Sequence, residues 1–467
     1  MIVGLGVWLV AALDLVVGAA PRDPVTRFCD LPTECGPGGV CVGFVCRVGS
    51  DRAKVEVLHR VAVPPPVIDV GATELAPAAR VLVNTLRREL AATGFYEVVP
   101  VAAHPASGVR EGASPAEVRR VAWAAAGIDR IVQVACTVRE TKSLVCKLKA
   151  VDTERWTTID LPAGRLQPVS GTSGARAIAI AWSNALVGYD TGIAGSAGTR
   201  LAGPSEQAPG VKEVVTVGDD GTGWRIITQN RNLNLNPAWG PGGVLGWMSY
   251  ASGNPDWWVD GKPFSTRPGL NAGGTWSPDG KLIALSLAEA GDSEIVLIDA
   301  KTAQEEARLT DHPSIDTSPT WSPDGKRIAF VSDRGGAQPQ IYVLSLAGGP
   351  LEQLTHEGYN VSPDWSPTGQ SIAFQRQNGN DFVIMRYDFD TGASRRLTTM
   401  RGSAENPTFS PDGRRIAFSF VQDKQARLWV MTADGESPHP IGGETADRSF
   451  LAPTWEHHAP GLRDAPR

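Results

Sequence analysis

Apolar residues between positions 75 and 93 recur every three or four places. Leu75, Ala79, Leu82, Val83, Leu86 and Leu90 fall on one face of a predicted helix. Gly94 marks its end, and FYEVVPV (95–101) reads as a strand. A second helix is predicted to open at Ser114-Pro115, with Ser114 as cap and Pro115 in the first turn, and to run to Gly127. IDRIVQVACTV (128–138) and LVCKLKAV (144–151) then read as two strands around a polar turn centred on Thr141. A third helix is predicted over 174–190, while PPP at 64–66 and the stretch 160–173 read as loops. The order strand, helix, strand, helix, hairpin, helix predicts a small α/β domain over 53–195.

From about Thr199 the pattern changes to a repeat. WGPGG (239–243), WSPDG (276–280), WSPDG (321–325), WSPTG (365–369) and FSPDG (409–413) stand 37–46 residues apart, and Trp455 closes the series. That interval is the period of propeller blades. Residues 318–355 read as four short strands joined by tight turns. In KRIAFVS (326–332), Ile328 and Phe330 point one way and Ala329 and Val331 the other; both faces are apolar, as in a sheet covered on both sides. Ser322-Pro323-Asp324-Gly325 suits a turn, because Pro fixes φ and Gly accepts positive φ, so the Asp is read as structural. Trp321 and its equivalents supply bulk between neighbouring sheets. The expected fold class is an α/β N-terminal domain followed by an all-β six-bladed propeller over 199–457, with a disordered tail at 458–467.

Composition narrows the function. The chain has 467 residues, 42% of them hydrophobic, and a formal net charge of −6 without a Lys/Arg-rich stripe. Nucleic-acid binding needs a concentrated positive face and is disfavoured. Residues 2–20 are apolar and end in small residues, which predicts a secretory signal cleaved near Ala19 or Ala20, or an uncleaved anchor. Cys29, Cys35, Cys41 and Cys46 cluster within a Gly/Pro-containing stretch of 21–52. Two disulfides in an exported mini-module are expected there, with three connectivities open; zinc lacks its usual CxxC pair. Cys136 and Cys146 would face each other across the predicted hairpin, as a disulfide or as two buried thiols.

Several segments together carry a family likeness. The run WSPDGKRIAFVSDRGGAQPQIYVLSLAGG (321–349) resembles the TolB family, the periplasmic propellers of the Tol–Pal system. DHPSIDTSPTWSPDG (311–325) is similar to the family's blade junction, with Ser318 where the family usually carries Glu. LRRELAATGFYEVV (86–99), WAAAGIDRIVQ (123–133) and TGIAGSAGTRLA (191–202) resemble the matching front-domain and connector segments. The resemblance implies a periplasmic, monomeric binding protein that supports outer-membrane integrity and constriction at division by holding a Pal-like peptidoglycan-associated lipoprotein. It also implies a TolA-like inner-membrane partner, but the cysteine module and AKVEVLHRVAVPPPVIDV (53–70) occupy the place of the family's TolA-binding segment.

The loops into the inner strands are expected to meet on one axial face: NLNLNP (232–237), GLNAGG (269–274), HPSIDTSP (312–319), EGYNVSP (357–363), SAENP (403–407) and DRSFLAP (447–453). Polar residues around Ile315, Tyr359 and Phe450 suit a protein partner; capping of local turns is the rival role for each Asn, Asp or Ser. The expected contact residues are Asn234, His312, Asp316, Tyr359 and Asn360, joined by Leu270, Asn271, Gly273, Thr317 and Ser318 from the family likeness. No cofactor, metal site or enzymatic activity is expected, since G-x-S-x-G, H-E-x-x-H, P-loop and EF-hand patterns do not occur. The alternative is a propeller of peptidase or carbohydrate-binding type with another extracytoplasmic partner, its aromatic platform at Trp257 and Trp258.

Overall fold

The computed structural model describes residues 39–42, 45–48, 59–68, 75–93, 95–105, 122–123, 125–138, 144–288, 292–336 and 338–457. The chain divides into Met1–Glu56 and Val57–Arg467. In the first unit a hairpin, β1 (Gly39–Val42) and β2 (Val45–Val48), pairs Cys41 with Cys46 in its backbone register. The apolar start, Cys29, Cys35, the opening of the second helix and the tail lie outside the described residues.

The α/β domain of the second unit is a mixed sheet, order β5-β3-β6-β7-β8, with β4 beside β6 and β9 beside β7. Its strands are β3 (His59–Ala62), β4 (Val67–Ile68), β5 (Tyr96–Val99), β6 (Arg130–Val138), β7 (Leu144–Asp152), β8 (Thr157–Ile159) and β9 (Gln167–Val169). Two helices, α1 (Ala76–Ala92) and α2 (Gly171–Thr191), share a core with one sheet face. The residues expected on the buried side of α1 are there: Ala79, Leu82, Val83, Leu86 and Leu90 are buried and Leu75 packs at the margin. The hairpin register sets Cys136 opposite Cys146, and the two form a disulfide. The stretch 160–173 is not all loop. Gln167–Val169 extends the sheet, and α2 begins at Gly171. A three-residue strand containing Pro168 carries too little alternation to be read, and Pro is tolerated there because β9 lies at an edge.

The propeller comprises six four-stranded sheets. Blades two to six run over 234–265, 270–308, 316–353, 360–396 and 403–440, each an antiparallel meander from the axis outward. Blade one takes three strands from 200–226 and its innermost strand, Thr454–Trp455, from the other end of the chain. The two-sided pattern of blade four behaves as the sequence predicts. Ile328 joins Ala284, Leu297 and Trp321 on the side of blade three, and Phe330 joins Ile295 there. Ala329 and Val331 meet Trp365, Ile372 and Phe374 of blade five. Asp324 holds its own turn, accepting from Ser322 Oγ at 2.6 Å and Lys326 N at 3.1 Å. Among the described residues no helix is long and apolar enough to cross a membrane.

Candidate functional site

Each inner strand begins at the same end of the ring, where the loop after the second strand also lies. Two contacts fix this: Ile315 N donates to Asp333 Oδ1 at 2.9 Å, and the Tyr359 ring lies 6.1 Å from that of Phe382. The expected loops therefore share the axial face. Their residues divide into two sets.

Asn234, Asn271, Asp316 and Asn360 have no exposed surface. They stand at the first or second position of the inner strands of four successive blades. Asn360 Nδ2 donates to Gln340 Oε1 of blade four and to Glu357 O, both at 2.8 Å, and Oδ1 accepts from Arg376 Nε at 2.8 Å. Asn234 Nδ2 reaches Glu213 Oε2 of blade one at 3.0 Å. Asp316 pairs with Arg334. The three Asn residues cap local turns, donating to Lys212 O, Arg267 O and Glu357 O, whereas Asp316 is held by the Arg334 side chain. Phe450 is also fully buried, packed with Leu201 and Trp455. Trp257 is likewise interior, so it offers no platform; Trp258 is half-buried beside Trp239 and Trp247.

Leu270, Gly273, His312, Thr317, Ser318 and Tyr359 remain partly exposed. Thr317 is the second residue of the strand Asp316–Trp321 rather than part of the loop before it. Ile315, 52% exposed, stands out as an apolar side chain on this face. A cavity of about 480 Å³ opens between blades five and six, lined by Phe382, Arg401, Glu405, Val421 and Lys424.

One repeated feature was not read from the sequence. Asn236, Gly273, Ser318, Ser362, Asn406 and Ala452 all have positive φ, between 37° and 64°. Each lies three residues before the Trp or Phe of its inner strand, and the ladders of blades two to six shift register there. In blades two to six they are β-bulges, which bend the inner strand locally. The signal was present as Asn, Ser or Ala before Pro in five copies and Gly-Gly in the sixth. Ser318 and Gly273 thus share a backbone role. Ser362 Oγ donates to Asn406 Oδ1 at 3.1 Å, so adjacent bulges touch.

Below the bulges, a side chain of one inner strand accepts an amide hydrogen bond from the next. Thr320 Oγ1 takes Trp365 N at 3.3 Å, Asp364 Oδ2 takes Phe409 N at 2.7 Å, and Thr408 Oγ1 takes Trp455 N at 3.2 Å. Burial pushes the Asp364 carboxyl up to about 7, against the Phe409 amide and Thr408 hydroxyl that favour its charged form. Among the described residues no group of His, Cys, Asp or Glu is arranged to hold a metal ion.

A six-bladed ring preceded by an α/β domain defines the class of protein: a β-propeller protein, a fold that hosts many functions. The sequence signature described as the TolB beta propeller domain matches residues 190–458, and the chain belongs to that family. Relatives include the Tol-Pal system protein TolB of Anaeromyxobacter dehalogenans (strain 2CP-1 / ATCC BAA-258), 33% identical over 241 residues, which are 50% of this chain and 54% of that one. The protein of the same name from Desulfosudis oleivorans is 35% identical over 115 residues, 23% of this chain and 26% of that one. The chain thus spans about half the length of the first of these relatives. The crystal structure of TolB from Acinetobacter baumannii shares the fold, with a TM-score of 0.68 at 24% identity over 86% of this chain and 97% of that chain.

Proposed function

We propose that this chain is a non-catalytic, exported component of a Tol–Pal-like envelope assembly that binds a Pal-like peptidoglycan-associated lipoprotein on its axial face. By this reading it acts in the periplasm, in outer-membrane integrity and constriction at division. The observation that carries it is Ile315, exposed among the half-exposed Leu270, Thr317 and Tyr359 on loops that buried Asn and Asp residues hold in place. Loops already fixed lose little ordering entropy on binding, and an apolar anchor inside a polar rim is the pattern of an interface centre. The relatives' name, Tol-Pal system protein TolB, supports a Pal-like partner.

The test is calorimetry with the organism's own Pal homologue. Thr317→Arg places a charged bulk in the contact and should weaken binding by about 2 kcal/mol or more. Asp324→Arg, in the opposite-face turn, should spare it. Unchanged affinity of the Thr317 variant means the partner or the face is wrong.

A further inference from the structure

The ring is closed by very little backbone. Thr454–Trp455 pairs with the strand Arg200–Ala208 at two positions, Leu201 with Trp455 and Ala202 with Thr454. The inner strands of the other blades are six or seven residues long. Side chains from the connector to the front domain supply much of what the short strand lacks.

The connector leaves α2 at Gly192, which has φ 75°, and folds back along the helix. Asn184 holds it there, accepting from Ala197 N and donating to Ala197 O, both at 3.0 Å. Gly195 lies so close that a Cβ would stand 2.7 Å from Asn184 Oδ1 and 3.1 Å from its Cα. Ser196, 1% exposed, then enters the turn of blade six: its N–H and hydroxyl donate to Asp412 Oδ2 at 3.1 and 2.8 Å. The hydroxyl oxygen accepts from an Arg415 terminal nitrogen at 3.0 Å, and that nitrogen also donates to Asp219 Oδ2 of blade one at 2.9 Å. Asp219 Oδ1 accepts from Gly198 N at 3.0 Å. The Arg415 guanidinium lies over the Trp455 ring at 4.9 Å, and Trp455 Nε1 donates to Thr199 Oγ1 at 2.7 Å.

Connector, first blade, last blade and closing strand thus meet in one buried polar network. The front domain touches the same place: the Arg414 guanidinium lies 4.5 Å from the Phe95 ring centroid, and Arg88 stands 3.6 Å from Asp220. The corresponding turns of blades three and four bind only themselves, since Asp279 and Asp324 accept from their own Ser and Lys residues.

We propose that the connector Gly195–Thr199 is the clasp of the propeller ring, so that seating the front domain and closing the ring are one cooperative event. Partly satisfied buried networks fail as a unit, because each lost partner leaves others desolvated and unpaired. Loosening the connector therefore frees the closing strand, and opening the strand frees the front domain.

Hydrogen exchange on the full chain tests this. The blade-four turn is a matched control, because Asp324 makes the same two turn bonds as Asp412, from Ser410 Oγ at 2.6 Å and Arg414 N at 3.1 Å, and none to the connector. In Ser196→Ala and Asp412→Ala, exchange in peptides spanning 450–457 should rise by about tenfold or more, together with that of 193–199. In Asp324→Ala the same peptides should stay within about twofold of the parent. If Ser196→Ala does not fold, Arg415→Lys, which keeps the charge and loses the reach to both partners, carries the same comparison. A connector that loosens while 450–457 stays protected overturns the proposal, as does an equal rise in the Asp324 variant.

Discussion

Replacing Asn271 by Ala separates a buried staple from a partner contact. Asn271 has no exposed surface. Its Oδ1 accepts from Ser265 Oγ at 2.7 Å and Arg267 N at 3.3 Å, and its Nδ2 donates to Arg267 O at 2.7 Å. The variant leaves the Ser265 hydroxyl and the Arg267 amide N–H without their partner inside the protein, while the Arg267 carbonyl keeps Asn254 Nδ2 at 3.3 Å. At about 1–3 kcal/mol for each group left unsatisfied, with water recovering part of the loss, the cost is about 3 kcal/mol. For a ring of this size that is a fall of about 6–12 °C in melting temperature. Calorimetric melting of Asn271→Ala beside Leu270→Ala reads the difference. The half-exposed Leu270 should cost about 1 kcal/mol, mostly by lost packing. An Asn271 variant melting within about 1 °C of the parent would refute the staple, since so small a shift leaves no room for three broken bonds.

Asp364 makes a prediction about pH. Its carboxyl, pushed up to about 7 by burial, holds a proton more tightly folded than unfolded. Its contribution is therefore full below the ordinary carboxylate range and lost as pH rises through about 7. Asp364→Asn should melt higher than the parent at about pH 8 and level with it at about pH 4; parallel profiles would contradict the assignment. The Cys136–Cys146 disulfide closes a separation of 10 residues, so Cys146→Ser should destabilise the front domain by about 2–3 kcal/mol, read as an earlier melt that reductant reproduces in the parent. Thiol labelling of denatured, unreduced protein should find few free thiols; full labelling of Cys29, Cys35, Cys41 and Cys46 would sink the expectation of export.

Much of the architecture was legible because blades repeat. A WSPDG turn carries its own backbone logic, and KRIAFVS carries a two-sided burial pattern, so blade four could be read alone and checked against its neighbours. The helix α1 was legible for the same local reason. The site was less so. Asn271 and Leu270 are adjacent, yet one is interior and the other is not, and only the bulge at Gly273 and the loop bonds to Ser265 and Arg267 decide which. Those contacts join residues whose spacing has no period. The ring of positive-φ residues was visible as Asn-Pro, Ser-Pro and Ala-Pro pairs, but Pro alone suggests a turn. The buried junction of Ser196 with Asp412 joins positions 216 residues apart, and Asp412 looks in sequence like any other turn Asp.

Ring closure also imposes a timetable on the chain. Ala202 finds its partner only when Thr454 has been made. At roughly 5–20 residues per second, the first blade waits tens of seconds during synthesis with its inner edge unpaired. An open strand edge is a template for wrong pairing, so the nascent protein is most vulnerable before Thr454 and Trp455 appear. A helper that shields growing chains would have most to gain at that edge, and truncations near Trp455 should be lost to aggregation or proteolysis rather than accumulate as five-bladed forms.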